Sequence, residues 1–219
     1  MRVMNLKAKQ PRGHYNSYKG KFNKKCTNYL LDVFTNSETL QTTCIRNFET
    51  TGFNQKWTTD VSEFHIAAGK LYLSPIMDMH NGEIISFNIS RSPNFAQTMD
   101  MLNKAFAKFD DLTGLIFHSD QGWQYQMERY QTALKEKGII QSMSRKGNCL
   151  DNSLMENFFG IMKNEMFYGH EYEFKDLDEL EKAMVEYIDY YNNERIKAKL
   201  KGLSPVEYRQ QSLNNVLSN

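Results

Sequence analysis

Alternating apolar and polar positions predict a sheet that begins near residue 56. The run KWTTDVSEF alternates as a half-buried strand does, and two further apolar runs, KLYLSPIMDM and EIISFNIS, follow it. The dipeptide Asn81-Gly82 joins those two runs and is the strongest hairpin signal in the chain. We therefore predict three consecutive antiparallel strands, with Asp60 on the first.

Helical periodicity replaces this alternation after residue 90. The run SPNFAQTMDMLNKAFAKF predicts a helix with Ser92 as its cap and Pro93 as its first residue. A buried strand, GLIFHSD, then a helix ending at Gly138 and a fifth strand, IIQSM, come next. Three more helices are predicted in DNSLMENFFGIMKNEM, LDELEKAMVEYIDYYNNER and LSPVEYRQQSL, the last with Ser204 as its cap. The order β-β-β-α-β-α-β-α indicates an α/β fold in which a mixed five-stranded sheet is flanked by helices.

The first 50 residues differ from the rest in composition. They are polar and irregular apart from TNYLLDVF, which predicts a short helix, so we divide the chain into a basic N-terminal arm and linker, residues 1–50, and a core, residues 51–219. Residues 1–25 hold eight of the 27 basic residues and none of the 26 acidic ones. A basic arm on a mildly acidic body indicates a polyanionic partner, although charge alone fits a solvated tail equally well.

Composition argues against several other classes of protein. The chain has 219 residues, of which 40% are hydrophobic and only 4 are Pro, as in a globular protein. No apolar run is long enough to span a bilayer, and Met1 precedes no signal-peptide core, so we expect a cytoplasmic protein without a membrane partner. Cys26, Cys44 and Cys149 form no CxxC pair, which argues against a structural zinc site.

Three acidic residues are the main candidates for chemistry. Asp60 lies in the first predicted strand, Asp120 ends the run GLIFHSD, and Glu156 follows after 35 intervening residues, in the first turns of a predicted helix. Two strand positions and one helix position can converge on one pocket. Carboxylates are the ligands that hard divalent cations need, and two Mg²⁺ ions about 3.5–4 Å apart would activate the nucleophile and stabilise the leaving oxygen at a phosphodiester. We expect Asp60 to be shared by both ions.

Each of these acids also has a purely structural interpretation. Asp60 could be an ordinary acid on a strand face, and Asp120 could bond the backbone of its own turn. Glu156 fits a capping box with Ser153, in which its carboxylate serves only the helix start. His118 lies on the same strand face as Asp120, where a buried, hydrogen-bonded histidine is favoured over a role in proton transfer.

Polar and aromatic residues near the acids are candidates for contact with DNA. Lys163 lies on one polar helical stripe with Glu156, which suits a phosphate contact beside a metal site or, alternatively, a solvated face. Trp123 could stack on splayed bases, whereas core packing is favoured for Trp57. The predicted DNA contacts are Lys163, Gln121, Gly122, Trp123, Asn152, Arg195 and Lys197.

Four separated segments together resemble a known family. WTTDVSEF, FHSDQGWQY, SRKGNCLDNSLMENFFGIMKNE and YNNERIKAKLKGLSPVEYR, in this order and spacing, resemble the catalytic core of bacterial insertion-sequence transposases. These belong to the retroviral-integrase-like group with an Asp, Asp, 35-residue, Glu signature, and the resemblance runs from about Gln55 to Gln211.

The resemblance implies more than the residues show by themselves. It implies a ribonuclease H-like fold and metal-dependent DNA cleavage followed by strand transfer, with two Mg²⁺ ions per site and Mn²⁺ able to substitute. It places the acid triad on Asp60, Asp120 and Glu156, and a DNA contact on Lys163. The implied partners are transposon ends, target DNA and further copies of the chain assembled on DNA, so the protein would act at the bacterial nucleoid.

Two departures from the family pattern leave a rival interpretation open. Lys197 stands where the family commonly has His, two residues after Arg195. The family also has an N-terminal helix-turn-helix region for end recognition, and we expect residues 1–50 to be only a remnant of such a DNA-binding region. A non-catalytic, DNA-binding regulatory fragment of a transposase is therefore the alternative. A plain nuclease, which would cleave without joining, is disfavoured by the YNNER…LSP tail.

Overall fold

The computed structural model describes residues 26–35, 37, 40–145 and 149–217. The strands in this part of the chain are Leu31–Thr35 (β1), Thr42–Arg46 (β2), Lys56–Thr59 (β3), Ser62–Ile66 (β4), Gly69–Asp78 (β5), Ile84–Ser90 (β6), Ile116–Ser119 (β7) and Ile140–Met143 (β8). The α-helices are Phe95–Phe106 (α1), Glu128–Glu136 (α2), Ser153–Met162 (α3), Leu177–Asn193 (α4) and Pro205–Leu217 (α5). A π-helical turn, Lys163–Phe167, continues α3.

The main sheet is mixed, as predicted. Strand β5 pairs antiparallel with β6 on one edge and with both β3 and β4 on the other, while β3, β7 and β8 run parallel. Thr59 lies opposite Ile76 and Ser62 lies opposite Leu73, so β3 and β4 follow β5 in one continuous register. The segment KWTTDVSEF, predicted as a single strand, therefore forms two collinear strands, β3 and β4, that are interrupted at Asp60. When these two are counted as one position, the main sheet has five strand positions.

Helices cover both faces of this sheet, because its central strands are apolar on both sides. On one face, Trp57, Ile76 and Phe117 pack with apolar residues of α1 and α2. On the other face, Phe64 and Leu71 pack with apolar residues of α3 and α4. Trp57 is fully buried, so its predicted role in core packing is confirmed. The result is the three-layer α/β arrangement that the order of elements predicts.

Two local predictions are wrong. The segment TNYLLDVF forms β1 instead of a short helix, because it pairs antiparallel with the β-branched segment TTCIR of β2. Helix α1 is capped by Asn94 and not by Ser92, since the Asn94 side chain accepts a hydrogen bond from the Gln97 amide at 2.9 Å. Pro93 therefore lies before the helix and not in its first turn.

Two other local predictions are confirmed. The Asn81-Gly82 turn joins β5 to β6, and Gly82 has a φ of 71°, a conformation that favours glycine. Ser204 caps α5: its amide donates to the Glu207 carboxylate at 2.8 Å, and the Glu207 amide donates to its hydroxyl at 3.4 Å.

The described residues before the predicted boundary at residue 50 contact the core. Leu30 is fully buried, the Thr27 carbonyl accepts a hydrogen bond from the Met143 amide at 3.2 Å, and the Lys56 ammonium donates to the Asn47 carbonyl at 2.9 Å. The predicted basic arm, residues 1–25, lies outside the described residues. In the part of the chain that is described, no helix is both long and apolar enough to cross a membrane.

Candidate active site

Asp60 and Asp120 lie at the ends of neighbouring parallel strands. Thr58 of β3 lies opposite His118 of β7, and each aspartate lies two residues further along its own strand. The carboxyl ends of parallel strands meet at one edge of a sheet, so the two aspartates leave the sheet side by side. Asp60 accepts a hydrogen bond from the Val61 amide at 2.8 Å, and Asp120 accepts one from the Gly122 amide at 2.8 Å. The turn-forming interpretation of Asp120 is thus observed, and it also fixes the direction of the carboxylate.

The electrostatics of this pair suit a divalent cation. Burial raises the pKa of Asp60 well above its usual range, and the charges of Asp120 and Glu156 raise it further, while Lys163 lowers it. Burial also raises the pKa of Asp120. Two neighbouring, half-buried carboxylates repel each other and have limited contact with solvent, so a cation between them would favour their ionised forms. The donor set formed by this pair therefore fits Mg²⁺ or Mn²⁺.

Glu156 lies near Asp60 and Asp120, but the three carboxylates do not form a compact set of metal ligands. Its side chain is exposed and makes no hydrogen bond or ion pair with another described residue. The alternative interpretation of Glu156 as part of a capping box is not observed, because α3 begins at Ser153 itself, with Asn152 as its cap. Burial raises the pKa of Glu156. Among the described residues, no three His, Cys, Asp or Glu side chains lie close enough together to hold a metal ion.

Asn152 joins the helix that holds Glu156 to the strand that ends at Asp60. Its side-chain oxygen accepts a hydrogen bond from the Thr58 hydroxyl, and its side-chain amide donates to the Thr59 carbonyl at 3.1 Å. The side chain is buried, and both of its polar atoms are engaged within the protein. The structure thus gives Asn152 a role in positioning α3, and its predicted contact with DNA stays a prediction.

Lys163 lies close to Asp60 and is partly buried. Its ammonium lies over the ring of Phe64, 4.9 Å from the centroid. Burial lowers the pKa of Lys163, while the nearby charges of Glu63 and Asp60 raise it. A cation beside the acid pair is suitably placed for a phosphate.

The turn after Asp120 holds three of the predicted DNA contacts. The Gln121 side-chain amide donates to the Ser144 carbonyl at 3.0 Å, and Trp123 is exposed. A Cβ atom on Gly122 would lie 2.9 Å from the Asp120 carboxylate, so a larger residue there would push on the carboxylate. Gly122 therefore permits the close turn, whereas Trp123 presents a ring to the surface.

Arg195 and Lys197 make contacts elsewhere in the protein. Arg195 pairs with Glu165 at 2.6 Å, and Lys197 donates to the Tyr191 hydroxyl at 2.7 Å. Burial, followed by the charge of Arg195, lowers the pKa of Lys197 to about 7. The structure does not place either side chain with the acids, and their predicted contacts with DNA stay predictions.

Two further buried residues are His118, on β7 two residues before Asp120, and Asp151, directly before Asn152. His118 is bonded to the hydroxyls of Ser142 at 2.9 Å and Ser144 at 3.0 Å, and burial lowers its pKa to about 4. The structural interpretation of His118 as a buried, hydrogen-bonded histidine is confirmed. Sequence reasoning did not single out Asp151, which is fully buried next to Asn152. A lone aspartate in a loop carries no signal in the sequence, because its partners are distant along the chain.

Comparison with known proteins identifies the family of this chain. Two family profiles, both described as integrase core domain, match residues 50–149 and 156–213. An uncharacterised transposase-like protein of Haemophilus influenzae is 50% identical over 214 residues, which cover 98% of this chain and 91% of that protein. The protein belongs to the insertion-sequence transposases with an integrase core domain.

Further similarities support the same family and fold. InsK, named as a transposase of insertion sequence element IS150 in Escherichia coli K12, is 47% identical to this transposase over 212 residues, covering 97% of this chain and 69% of InsK. The catalytic core domain of HTLV-2 integrase, solved with magnesium, superposes with a TM-score of 0.56 at 19% identity, covering 72% of this chain and 97% of that one. The fold is thus that of retroviral integrase cores, as the sequence predicted.

Proposed function

We propose that this transposase cleaves a DNA strand at the end of an insertion sequence and transfers that end to target DNA, with divalent metal ions as cofactor. The observation that carries the proposal is the pair of half-buried carboxylates, Asp60 and Asp120, at the ends of adjacent parallel strands, where burial raises the pKa of both. Neighbouring acids that are partly removed from solvent destabilise a fold unless a cation or proton is present, so this pair indicates a functional site. Membership in the transposase family assigns that function to DNA.

Asp60, Asp120 and Glu156 would hold the metal. When bound, two Mg²⁺ ions, or Mn²⁺ in their place, would supply a Lewis acid that stabilises charge on the phosphodiester oxygens and activates the attacking hydroxyl. Asp60 and Asp120 keep their oxygens directed by the amides of Val61 and Gly122. Glu156, exposed on α3, would complete the ligand set once metal and DNA occupy the site.

Other residues would orient the DNA. Lys163, next to Asp60, would contact a phosphate close to the reacting bond, and Trp123 would stack on a base beside Asp120. Gln121, Asn152, Arg195 and Lys197 were predicted to take part as well. Of these, only Gln121 lies in the turn directly after a proposed ligand.

The DNA partners are the two ends of the element and a target site. Joining both ends to one target requires that they be held together, so we propose that copies of the chain assemble on DNA. Bacterial DNA lies in the cytoplasm, where the transposase would work at the nucleoid.

Metal binding without DNA tests this proposal. We expect Mn²⁺ binding by calorimetry for the wild-type chain and a loss of more than about 100-fold in affinity for Asp60→Asn, which exceeds the usual effect of an outer-sphere residue. The matched control is Asp78→Asn, because Asp78 is a fully buried acid of the same sheet that lies opposite Trp57, toward the other end of β3. Equal affinity in Asp60→Asn and the wild-type chain would contradict the proposal.

A further inference from the structure

Asp151 is the centre of a buried polar cluster outside the acid triad. Its carboxylate accepts hydrogen bonds from Asn28 at 2.9 Å and from the Arg46 guanidinium at 2.9 Å. Arg145 donates three more, from its backbone amide at 3.1 Å and from two guanidinium nitrogens at 3.0 Å each. The residue is 0% exposed, so these donors replace solvent around both of its oxygens.

The donors come from distant parts of the chain. Asn28 precedes the hairpin of β1 and β2, Arg46 ends that hairpin, and Arg145 follows β8. Asp151 therefore ties the N-terminal hairpin and the end of β8 to the start of α3. Such a cluster gives less net stability than its number of bonds suggests, because removing the carboxylate from water, and the two guanidinium groups in part, offsets some of the attraction between them. Its clear effect is a defined geometry.

Asn152, the residue after Asp151, connects this cluster to the strand that carries the proposed ligand Asp60. Asn152 bonds the Thr58 hydroxyl and the Thr59 carbonyl, directly before Asp60, and α3 then begins at Ser153. Glu156 lies about one turn further along the helix. Asn152 thus links the helix of Glu156 to the strand of Asp60 through two hydrogen bonds, and Asp151 directly precedes it in the chain.

We propose that Asp151 is a positioning residue for the metal site. Held by Arg145 and Arg46, it fixes the start of α3 at the place from which Glu156 reaches the Asp60–Asp120 pair. The N-terminal hairpin is then part of the scaffold of the active site and not a passive linker. The inference rests on the proposed function for its catalytic meaning, while its structural content stands independently.

Hydrogen exchange tests the structural content without metal or DNA. In Asp151→Asn, the amides of residues 157–160, which bond the first carbonyls of α3, should exchange at least about tenfold faster than in the wild-type chain. The matched control is Asp78→Asn, which also removes a buried carboxylate that accepts two backbone hydrogen bonds, at 2.8 Å each, and pairs with Arg209. That control should leave exchange in α3 unchanged. Unchanged exchange in Asp151→Asn overturns the inference.

A second variant covers the case in which Asp151→Asn does not fold. Arg46→Gln removes one donor and leaves all three bonds from Arg145 in place. It should accelerate exchange of the same amides by a smaller factor, about two- to fivefold. If the amides of α3 exchange in Arg46→Gln as they do in the wild-type chain, the claim that the N-terminal hairpin helps to fix α3 is overturned.

Mn²⁺ calorimetry tests the functional meaning. Asp151→Asn should weaken Mn²⁺ binding by about 10- to 100-fold, as loss of an outer-sphere residue does. In a Glu156→Gln background the same change should cost less than about twofold, because the residue acts through Glu156. Equal factors in both backgrounds overturn the positioning role. If Glu156→Gln alone leaves Mn²⁺ affinity unchanged, the ligand assignment of Glu156 in the proposed function fails instead, and hydrogen exchange still decides whether Asp151 fixes α3.

Discussion

The ammonium group of Lys197 donates a hydrogen bond to the Tyr191 hydroxyl at 2.7 Å and lies 4.2 Å from the centroid of the same ring. The same group donates to the Gly82 carbonyl at 3.2 Å, at the turn between β5 and β6. This partly buried lysine therefore connects the segment after α4 to an edge of the main sheet.

The first prediction concerns the pH dependence that Lys197 gives to stability. Its pKa falls from 10.5 to about 7 on folding, so between pH 7 and 10 the unfolded chain binds more protons at this residue. Stability from this residue therefore rises with pH across that window. The melting temperature of the wild-type chain relative to Lys197→Met should increase from pH 7 to 9.5. Lys175→Met, at an exposed lysine, is the control. If the melting temperatures of Lys197→Met and the wild-type chain change in parallel with pH, the lowered pKa of Lys197 is contradicted.

The second prediction concerns Asp151 at acid pH. Its pKa falls from 3.8 to about 2, since hydrogen bonds from Arg145 and Arg46 outweigh burial, which raises it. The depressed pKa adds stability above about pH 4 that is lost as the pH falls through 2. The difference in unfolding free energy between the wild-type chain and Asp151→Asn should be constant from pH 7 to 5 and shrink below pH 4 in urea titrations. A difference that stays constant down to pH 3 would show that Arg145 and Arg46 do not lower the pKa of Asp151.

The third prediction separates metal binding from folding at Asp120. Because burial raises the pKa of this carboxyl, Asp120→Asn should melt at the same temperature as the wild-type chain or higher when metal is chelated. With millimolar Mn²⁺, only the wild-type chain should gain stability, because only its site binds the ion. Asp120→Asn should also lose strand cleavage while it keeps its fold and nonspecific DNA binding. Retained cleavage would refute the assignment of the acids.

The fourth prediction concerns the buried hydroxyl of Tyr125. This hydroxyl lies beside Thr59, Asp60 and Asp120 but has no hydrogen-bond partner of suitable geometry among the described residues. Tyr125→Phe should leave the unfolding free energy unchanged or raise it by up to about 1 kcal/mol. Tyr187→Phe is the matched control: it removes a hydroxyl that donates to Glu165 at 2.7 Å and should lower stability by about 1.5 kcal/mol. A similar loss in both variants would mean that Tyr125 has a partner.

The fifth prediction concerns the basic arm, residues 1–25. Its eight basic residues should neutralise DNA phosphates, so deleting the arm should weaken DNA binding and flatten its dependence on salt. Each phosphate contact that is lost should lower the log–log slope by about 0.9. Fluorescence anisotropy with duplex DNA between low and moderate salt measures that slope. A chain of the same length with Gln in place of the arm's Lys and Arg should behave as the deletion does; an unchanged slope would make the arm a solvated tail.

Most elements of the main sheet and its helices could be predicted from short stretches of sequence. The turn at Asn81-Gly82 and the cap at Ser204 depend on contacts within a few residues, so local chemistry is sufficient to specify them. Strand β7 and helix α4 follow from apolar runs and helical periodicity for the same reason. The three acids could be singled out because their residue types and spacing match a transposase core.

Long-range partners account for the predictions that were wrong. Residues Leu31–Thr35 form a strand because they pair with β2, and that pairing could not be predicted from the segment itself. Asn94 replaced Ser92 as the cap of α1, where the chain entering the helix is held by contacts to β5 and β6 through Gln97. A helix or strand preference of less than about 1 kcal/mol per residue is easily overcome by such contacts.

The sequence by itself determined the family, the order of elements and the identity of the three candidate ligands. The tertiary structure alone decided which of them lie side by side: Asp60 and Asp120 meet because β3 and β7 are parallel neighbours, while Glu156 remains a helix residue near the pair. It also decided that Asp151 is buried among donors as far away in the chain as Asn28, 123 residues earlier. Residue type and spacing are carried by the chain locally, whereas proximity across more than 100 residues exists only after the sheet has formed.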